Sequence, residues 1–138
     1  MIERSGCRVI GVDISANMRA LAASYVASDR FIACAPDGFS ALIARGLRVD
    51  GAIAVWVLQH CPAPGADVGP IRAAMNPGAK LFVVNNQLSA VPTRKAAWVN
   101  DGAQIRTILS GSFSLEDEGV LEAEPVPPAL SDVAFWAT

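Results

Sequence analysis

The stretch CRVIGVDISANMRALAASYV, residues 7–26, decides how this chain is read. Its opening, Cys7 to Ile14, is short, rich in β-branched side chains and bounded by Gly6 and Ser15, the pattern of a strand buried in a parallel sheet. Ser15 then offers a hydroxyl to cap a helix, and Met18, Leu21, Ala22 and Tyr25 recur at helical spacing as far as Val26. A strand running straight into a capped helix is the start of a βαβ unit.

The alternation continues outward from there. Phe31 to Ala35 (FIACA) reads as a second short strand, and Pro36-Asp37-Gly38 as a turn ahead of a weaker helix over Phe39 to Arg45. Asp50 to Leu58 (DGAIAVWVL) is apolar on both parities, which predicts a central strand buried on both faces of the sheet. After Pro62, Pro64 and Gly65 come a short helix near Pro70 to Met75, a turn at Asn76-Pro77-Gly78 and a strand from Lys80 to Asn86. A longer helix is expected over Asp101 to Leu109. Two final strands, Gly119 to Glu124 and Ser131 to Thr138, flank the proline-rich Pro125 to Pro128 and predict an antiparallel hairpin at one sheet edge. The whole is an α/β layered fold with a mostly parallel sheet, expected as a single domain over residues 1–138.

Composition narrows the function. The chain has 138 residues, 52% of them hydrophobic and 17% charged, which suits one globular core. A formal net charge of -2 leaves no basic footprint for nucleic acid or anionic membranes, and neither is expected as a partner. The longest apolar run is bracketed by Asp50 on one side and Gln59 and His60 on the other, short of the about 18 residues of a membrane span. Acidic groups crowd the last quarter (Glu116, Asp117, Glu118, Glu122, Glu124, Asp132), alternating with apolar residues as on a solvated hairpin face. Three cysteines, Cys7, Cys34 and Cys61, show no paired spacing, and no charged-then-apolar leader is visible, so reduced thiols in the cytoplasm are expected. With one histidine in the chain, a two-histidine metal site is excluded and no metal is expected.

In parallel sheets ligands sit at the carboxyl ends of the strands. Asp13 ends the first strand, where a carboxylate either accepts both hydroxyls of a ribose or caps the next helix. Asp37 follows the second strand, as an acceptor for an exocyclic amine or as an ordinary turn aspartate. Met18 and Phe39 are candidates to pack on a purine ring and equally candidates for core. His60, after the third strand, is placed either as a proton acceptor or as a structural histidine.

Together, in this order, these pieces resemble the class I S-adenosylmethionine-dependent methyltransferases. GVDIS at 11–15 followed by Met18 is similar to the family's acidic loop, which implies that Asp13 takes the cofactor ribose with Ile14 and Met18 beside the base. APDGF at 35–39 is similar to the next segment, implying that Asp37 bonds the adenine amine and that Gly38 and Phe39 border the ring. VDGAIAVWVLQHCPAP at 49–64 resembles the fourth strand and its exit, so that Ala54 and Val55 would line the cofactor while Gln59 and His60 face the substrate side. RAAMNPGAKLFVVNN at 72–86 resembles the family's Leu-x-Pro-Gly-Gly-x-Leu turn into the fifth strand, with Asn76 and Ala79 as departures.

The resemblance also implies a strand and a Gly-x-Gly-x-Gly loop before residue 1, with Met1 to Gly6 as the tail of the helix that follows them. The sheet is therefore expected to lack its first strand, leaving unpaired edges on the strands at 8–14 and 50–58. Each unsatisfied buried backbone group would cost about 1–3 kcal/mol against a total stability of about 5–15 kcal/mol. The implied function is transfer of a methyl group from S-adenosylmethionine to a small-molecule acceptor, with His60 as the first candidate for a proton acceptor. Competing with it are a non-catalytic methyltransferase-like module or inactive fragment, binding a strand-supplying partner or a second copy through its open edges, and a nicotinamide dinucleotide-binding domain. Gln87 to Asn100 carries no recognisable signature of an acceptor.

Overall fold

The computed structural model describes residues 2–86, 88–95 and 97–119. Within them run α1 (Ile2–Ser5), β1 (Val9–Val12), α2 (Ala16–Val26), β2 (Phe31–Cys34), α3 (Pro36–Ala44), β3 (Val49–Val55), a 3-10 turn (Leu58–His60), α4 (Pro64–Ala74), β4 (Met75–Val84), β5 (Val91–Pro92), β6 (Trp98–Val99) and α5 (Ile105–Ser110). The chain divides into two compact units, residues 1–47 and 48–138.

In the first unit β1 and β2 pair in parallel, Val9 with Phe31 through Val12 with Cys34. Helix α2 begins where the sequence places it: Ser15 is extended, and its hydroxyl accepts the Met18 N–H at 3.3 Å. It ends at Ala27, whose backbone is left-handed (φ 44°) while its N–H donates to Ala23 O. Gly11 is required by close approach, because a Cβ there would stand 3.0 Å from the Phe31 ring. Pro36-Asp37-Gly38 is not a turn. Pro36 is the first residue of α3 and Asp37 lies in its first turn, since proline has no amide hydrogen to lose there and a carboxylate complements the helix dipole. No described residue of this unit is fully buried, as expected when so short a stretch must supply its own core.

The second unit holds the described core: Ala54, Leu58 and Val68, with Val83, Ile105, Ile108, Leu109 and Phe113 packed against them. Strands β3 and β4 pair in parallel from Gly51–Lys80 to Val55–Val84. Between Val49–Met75 and Gly51–Lys80 the ladder shifts, with Asn76-Pro77-Gly78-Ala79 on β4 set against Asp50 alone on β3, so the expected turn survives as an excursion within the strand. Gly78 carries it with φ 79°.

Three further expectations are corrected. β3 is not a central strand buried on both faces: among the described residues it pairs with β4 alone, and Ile53 and Val55 are 58% and 41% exposed because only the Ala54 face meets the core. Helix α4 starts at Pro64, before Pro70, which lies inside the helix instead of opening it. Helix α5 starts at Ile105, later than Asp101, because Asn100 and Asp101 use their side chains to accept the Gly102 and Ala103 N–H groups. Beyond these, β5 and β6 form a short antiparallel pair, Val91 with Val99 and Pro92 with Trp98.

The expected C-terminal hairpin lies outside the described residues. Of the acidic quarter, Glu116 pairs with Lys80 and Glu118 with Arg106, both on the surface, where such pairs add little stability. Among the described residues no helix is long and apolar enough to cross a membrane, and no group of three or more metal-ligating side chains gathers.

Candidate functional site

The first unit brings its acidic residues to the carboxyl ends of two adjacent parallel strands. Asp13 has left β1, yet its N–H still donates to Cys34 O at 3.1 Å, tying the exit of β1 to the end of β2. Its carboxylate is exposed, and Oδ1 accepts the Ser15 N–H at 2.7 Å, so Asp13 shapes the entry to α2 as well as facing solvent. Arg19 reaches back from α2 and donates from Nη1 to Asp13 O at 2.7 Å and Ile14 O at 2.9 Å, fixing the loop. A cavity of about 180 Å³ opens beside it, lined by Gly11, Asp13, Met18, Arg19, Ala22 and Phe31.

Asp13 and Met18 are therefore brought together at one cavity. Ile14 lies beside them, 86% exposed. Asp37, Gly38 and Phe39 form the start of α3 directly after β2, with Asp37 exposed and the Phe39 N–H donating to Ala35 O at 3.0 Å. Gly38 sits close against β2, since a Cβ there would lie 3.3 Å from Cys34 Cβ.

Ala54, Val55 and His60 belong to the second unit. Ala54 packs into the core against Leu58 and Val68, and Val55 points away from it. His60 has both ring nitrogens engaged: Nδ1 lies 2.7 Å from Ala90 O, and Nε2 lies 3.1 Å from Gln59 Nε2. The carbonyl of Ala90 only accepts, so Nδ1 carries the proton. Gln59 Oε1 accepts the Asn86 N–H at 2.6 Å, which turns the Gln59 amide nitrogen toward His60 and makes His60 Nε2 the acceptor. The ring also meets Trp98 edge to face, with centroids 5.0 Å apart. Gln59 is not on a substrate-facing surface: it is 1% exposed and bonds through its side chain to Asn86 and His60 and through its carbonyl to the Ala90 N–H at 2.8 Å.

With this geometry in place, one comparison decides the family. A family described as a methyltransferase domain matches residues 1–83, well over half of the chain. The chain belongs to the class I S-adenosylmethionine-dependent methyltransferase family. The match includes every candidate site residue from Asp13 to His60 and ends inside β4. The family generally binds S-adenosylmethionine. No curated protein and no solved structure matches this methyltransferase-family chain.

The residues present fit the adenosine end of that cofactor. An exposed carboxylate beside a small cavity walled by Met18 and Ala22 suits a ribose carrying a base, and Asp37 at the next strand end adds a second acceptor. Sequence reading passed over Arg19 and Trp98. Arg19 is a cation in the first turns of an otherwise apolar helix, a signal that in retrospect marks a loop-pinning role; Trp98 has no spacing that distinguishes it.

Proposed function

We propose that the chain transfers a methyl group from S-adenosylmethionine to a small-molecule acceptor. The observation that carries this reading is Asp13, an exposed carboxylate at the carboxyl end of β1, opening onto the Met18 cavity in a chain of the methyltransferase family. Asp13 would hold the ribose hydroxyls, Ile14 and Met18 the base, and Asp37 the exocyclic amine with Gly38 and Phe39 at the ring edge. The cofactor, when bound, supplies an activated methyl group, so the chain's own work is orientation and exclusion of water. Arg19 supports this by holding the Asp13–Ile14 carbonyls in place.

His60 enters the reaction as a proton acceptor only by releasing Gln59, because its Nε2 lone pair already accepts that amide. Positioning without a dedicated base is therefore the reading that the geometry favours. Thermal unfolding tests it: S-adenosylhomocysteine raises the transition temperature and a nicotinamide dinucleotide does not, whereas the opposite pattern restores the dinucleotide reading.

A second reading, a non-catalytic module that binds a partner chain or a second copy through its sheet edges, is supported by β3. Its Ile53 stands in register with Phe82, and each is 58% exposed. Light scattering over a wide concentration range separates the two: mass that grows with concentration favours the module, and a constant monomer removes self-association from it.

A further inference from the structure

The polar groups that meet at the exits of β3 and β4 have an acceptor for every donor in only one protonation state. Gln59 Oε1 accepts the Asn86 N–H at 2.6 Å, Gln59 Nε2 lies 3.1 Å from His60 Nε2, and His60 Nδ1 lies 2.7 Å from Ala90 O. These contacts are all satisfied while His60 is neutral, with its proton on Nδ1 and a lone pair on Nε2. The Gln59 carbonyl adds a further tie, accepting the Ala90 N–H at 2.8 Å.

A second proton on the ring changes the count. An imidazolium donates from both nitrogens. Nδ1 keeps Ala90 O, but a proton taken from solvent onto Nε2 faces the Gln59 NH2 group, donor against donor. Gln59 is 1% exposed, so the side-chain amide itself must answer. Turned over, it brings Oε1 to the imidazolium in a charge-assisted bond and swings its NH2 group toward the Asn86 N–H, which then has no acceptor. The two arrangements exclude each other. His60 is only part-buried, so solvent protons reach the ring.

The neighbouring charges are engaged elsewhere. Helix α4 and β5 pack against the 3-10 turn that carries His60. On α4, Asp67 stands beside the Cys61 thiol, and Arg72 donates to Ser112 O at 3.3 Å. Strands β5 and β6 carry no charged residue, and Arg94 and Lys95 between them are exposed. Asp101 is bonded to the Ser89 hydroxyl, and the group that meets the His60 ring edge to face is the uncharged Trp98.

We infer that His60 and Gln59 form a proton-operated latch: uptake of a proton by His60 turns the Gln59 amide and releases Asn86 from the exit of β3, while Ala90 stays held. The carboxyl ends of parallel strands are the ligand edge of such a sheet, so the latch loosens the chain at that edge. The inference rests on the second unit alone and does not depend on methyl transfer.

NMR of the full chain across pH tests it, with the His60 ring protons reporting the charge. Hydrogen exchange at the Asn86 amide, corrected for its intrinsic pH dependence, is expected to lose protection about tenfold as His60 takes up its proton. The Trp56 amide, which donates to Val84 O at 2.7 Å, should keep its protection. His60→Gln has no ring to protonate and should abolish the step. Gln59→Glu should abolish it too, since a carboxylate has an oxygen for the imidazolium and another for the Asn86 N–H, and it serves if His60→Gln does not fold. Undiminished Asn86 protection through the His60 titration, a step that persists in either variant, or loss of Trp56 protection in the same step overturns the inference.

Discussion

Gln59 Oε1 accepts the backbone N–H of Asn86 at 2.6 Å, and this contact between the exit of β3 and the exit of β4 sets the role of His60. It orients the Gln59 amide, the amide selects the His60 tautomer, and His60 in turn secures Ala90. Replacing Gln59 with leucine would leave the part-buried Asn86 N–H and His60 Nε2 without these partners. Gln59→Leu is expected to lower the stability of the chain by about 3 kcal/mol, measured by urea unfolding. A loss below about 0.5 kcal/mol would mean that water replaces these bonds without cost.

His60→Gln tests the same arrangement from the other side. Because the cofactor contacts are assigned to Asp13, Met18 and Asp37 and not to His60, S-adenosylhomocysteine affinity should remain within about twofold of the unaltered chain while stability falls by about 1–2 kcal/mol. Unchanged stability would mean that the His60 bond to Ala90 O does not hold the segment after β4 in place.

Asp101 is held below the ordinary carboxylate range, first by the Ser89 hydroxyl and then by the Ala103 N–H. A carboxyl whose folded pKa is depressed stabilises the fold above its unfolded pKa, and that contribution is lost as pH falls through the folded value. The loss therefore falls below about pH 4. Ser89→Ala should move the Asp101 titration upward in carbon-detected NMR, and an unmoved titration would assign the shift elsewhere.

The Cys61 thiol is pushed up to about 12, by burial first and then by the Asp67 carboxylate beside it. At pH 8 it stays protonated, so iodoacetamide should modify it slowly. Asp67→Asn should speed the reaction, because it removes the negative charge that opposes the thiolate. Mass spectrometry of the modified peptide reads both rates.

Ala27 closes α2 in a left-handed conformation that glycine adopts without a Cβ penalty. Since Ala27 is exposed and its own N–H makes the capping bond, Ala27→Gly should stabilise the chain by about 1 kcal/mol. Destabilisation would show that the unfolded chain's added freedom outweighs the relief of strain.

Local signals were legible where one residue type does one job. The Ser15 cap, the apolar spacing of α2 and the short apolar runs of β1 and β2 all appear where the sequence puts them. Proline was misleading because it serves both as a turn former and as a helix opener: Pro36 opens α3, and Pro70 sits within α4. The exposure of Ile53 and Val55 was not readable, since an apolar run states a preference for burial and not which neighbour provides it. The two-residue strands β5 and β6 are too short to show any period. Asp13 and Met18, which the family resemblance sets side by side after β1, line one cavity. The tie from Gln59 and His60 to Asn86 and Ala90 was not legible, because it joins residues far apart in sequence through backbone groups that every residue carries.

The central claim is that Asp13 holds the cofactor, and a calorimetric titration with S-adenosylhomocysteine tests it most directly. The unaltered chain is expected to bind, and Asp13→Ala to bind more weakly by about 2 kcal/mol, roughly thirtyfold, through loss of a charge-assisted contact. Asp13→Asn keeps an acceptor for the Ser15 N–H and so separates loss of the charge from loss of the loop. Equal dissociation constants for the unaltered and Asp13→Ala chains, both folded, would contradict the account.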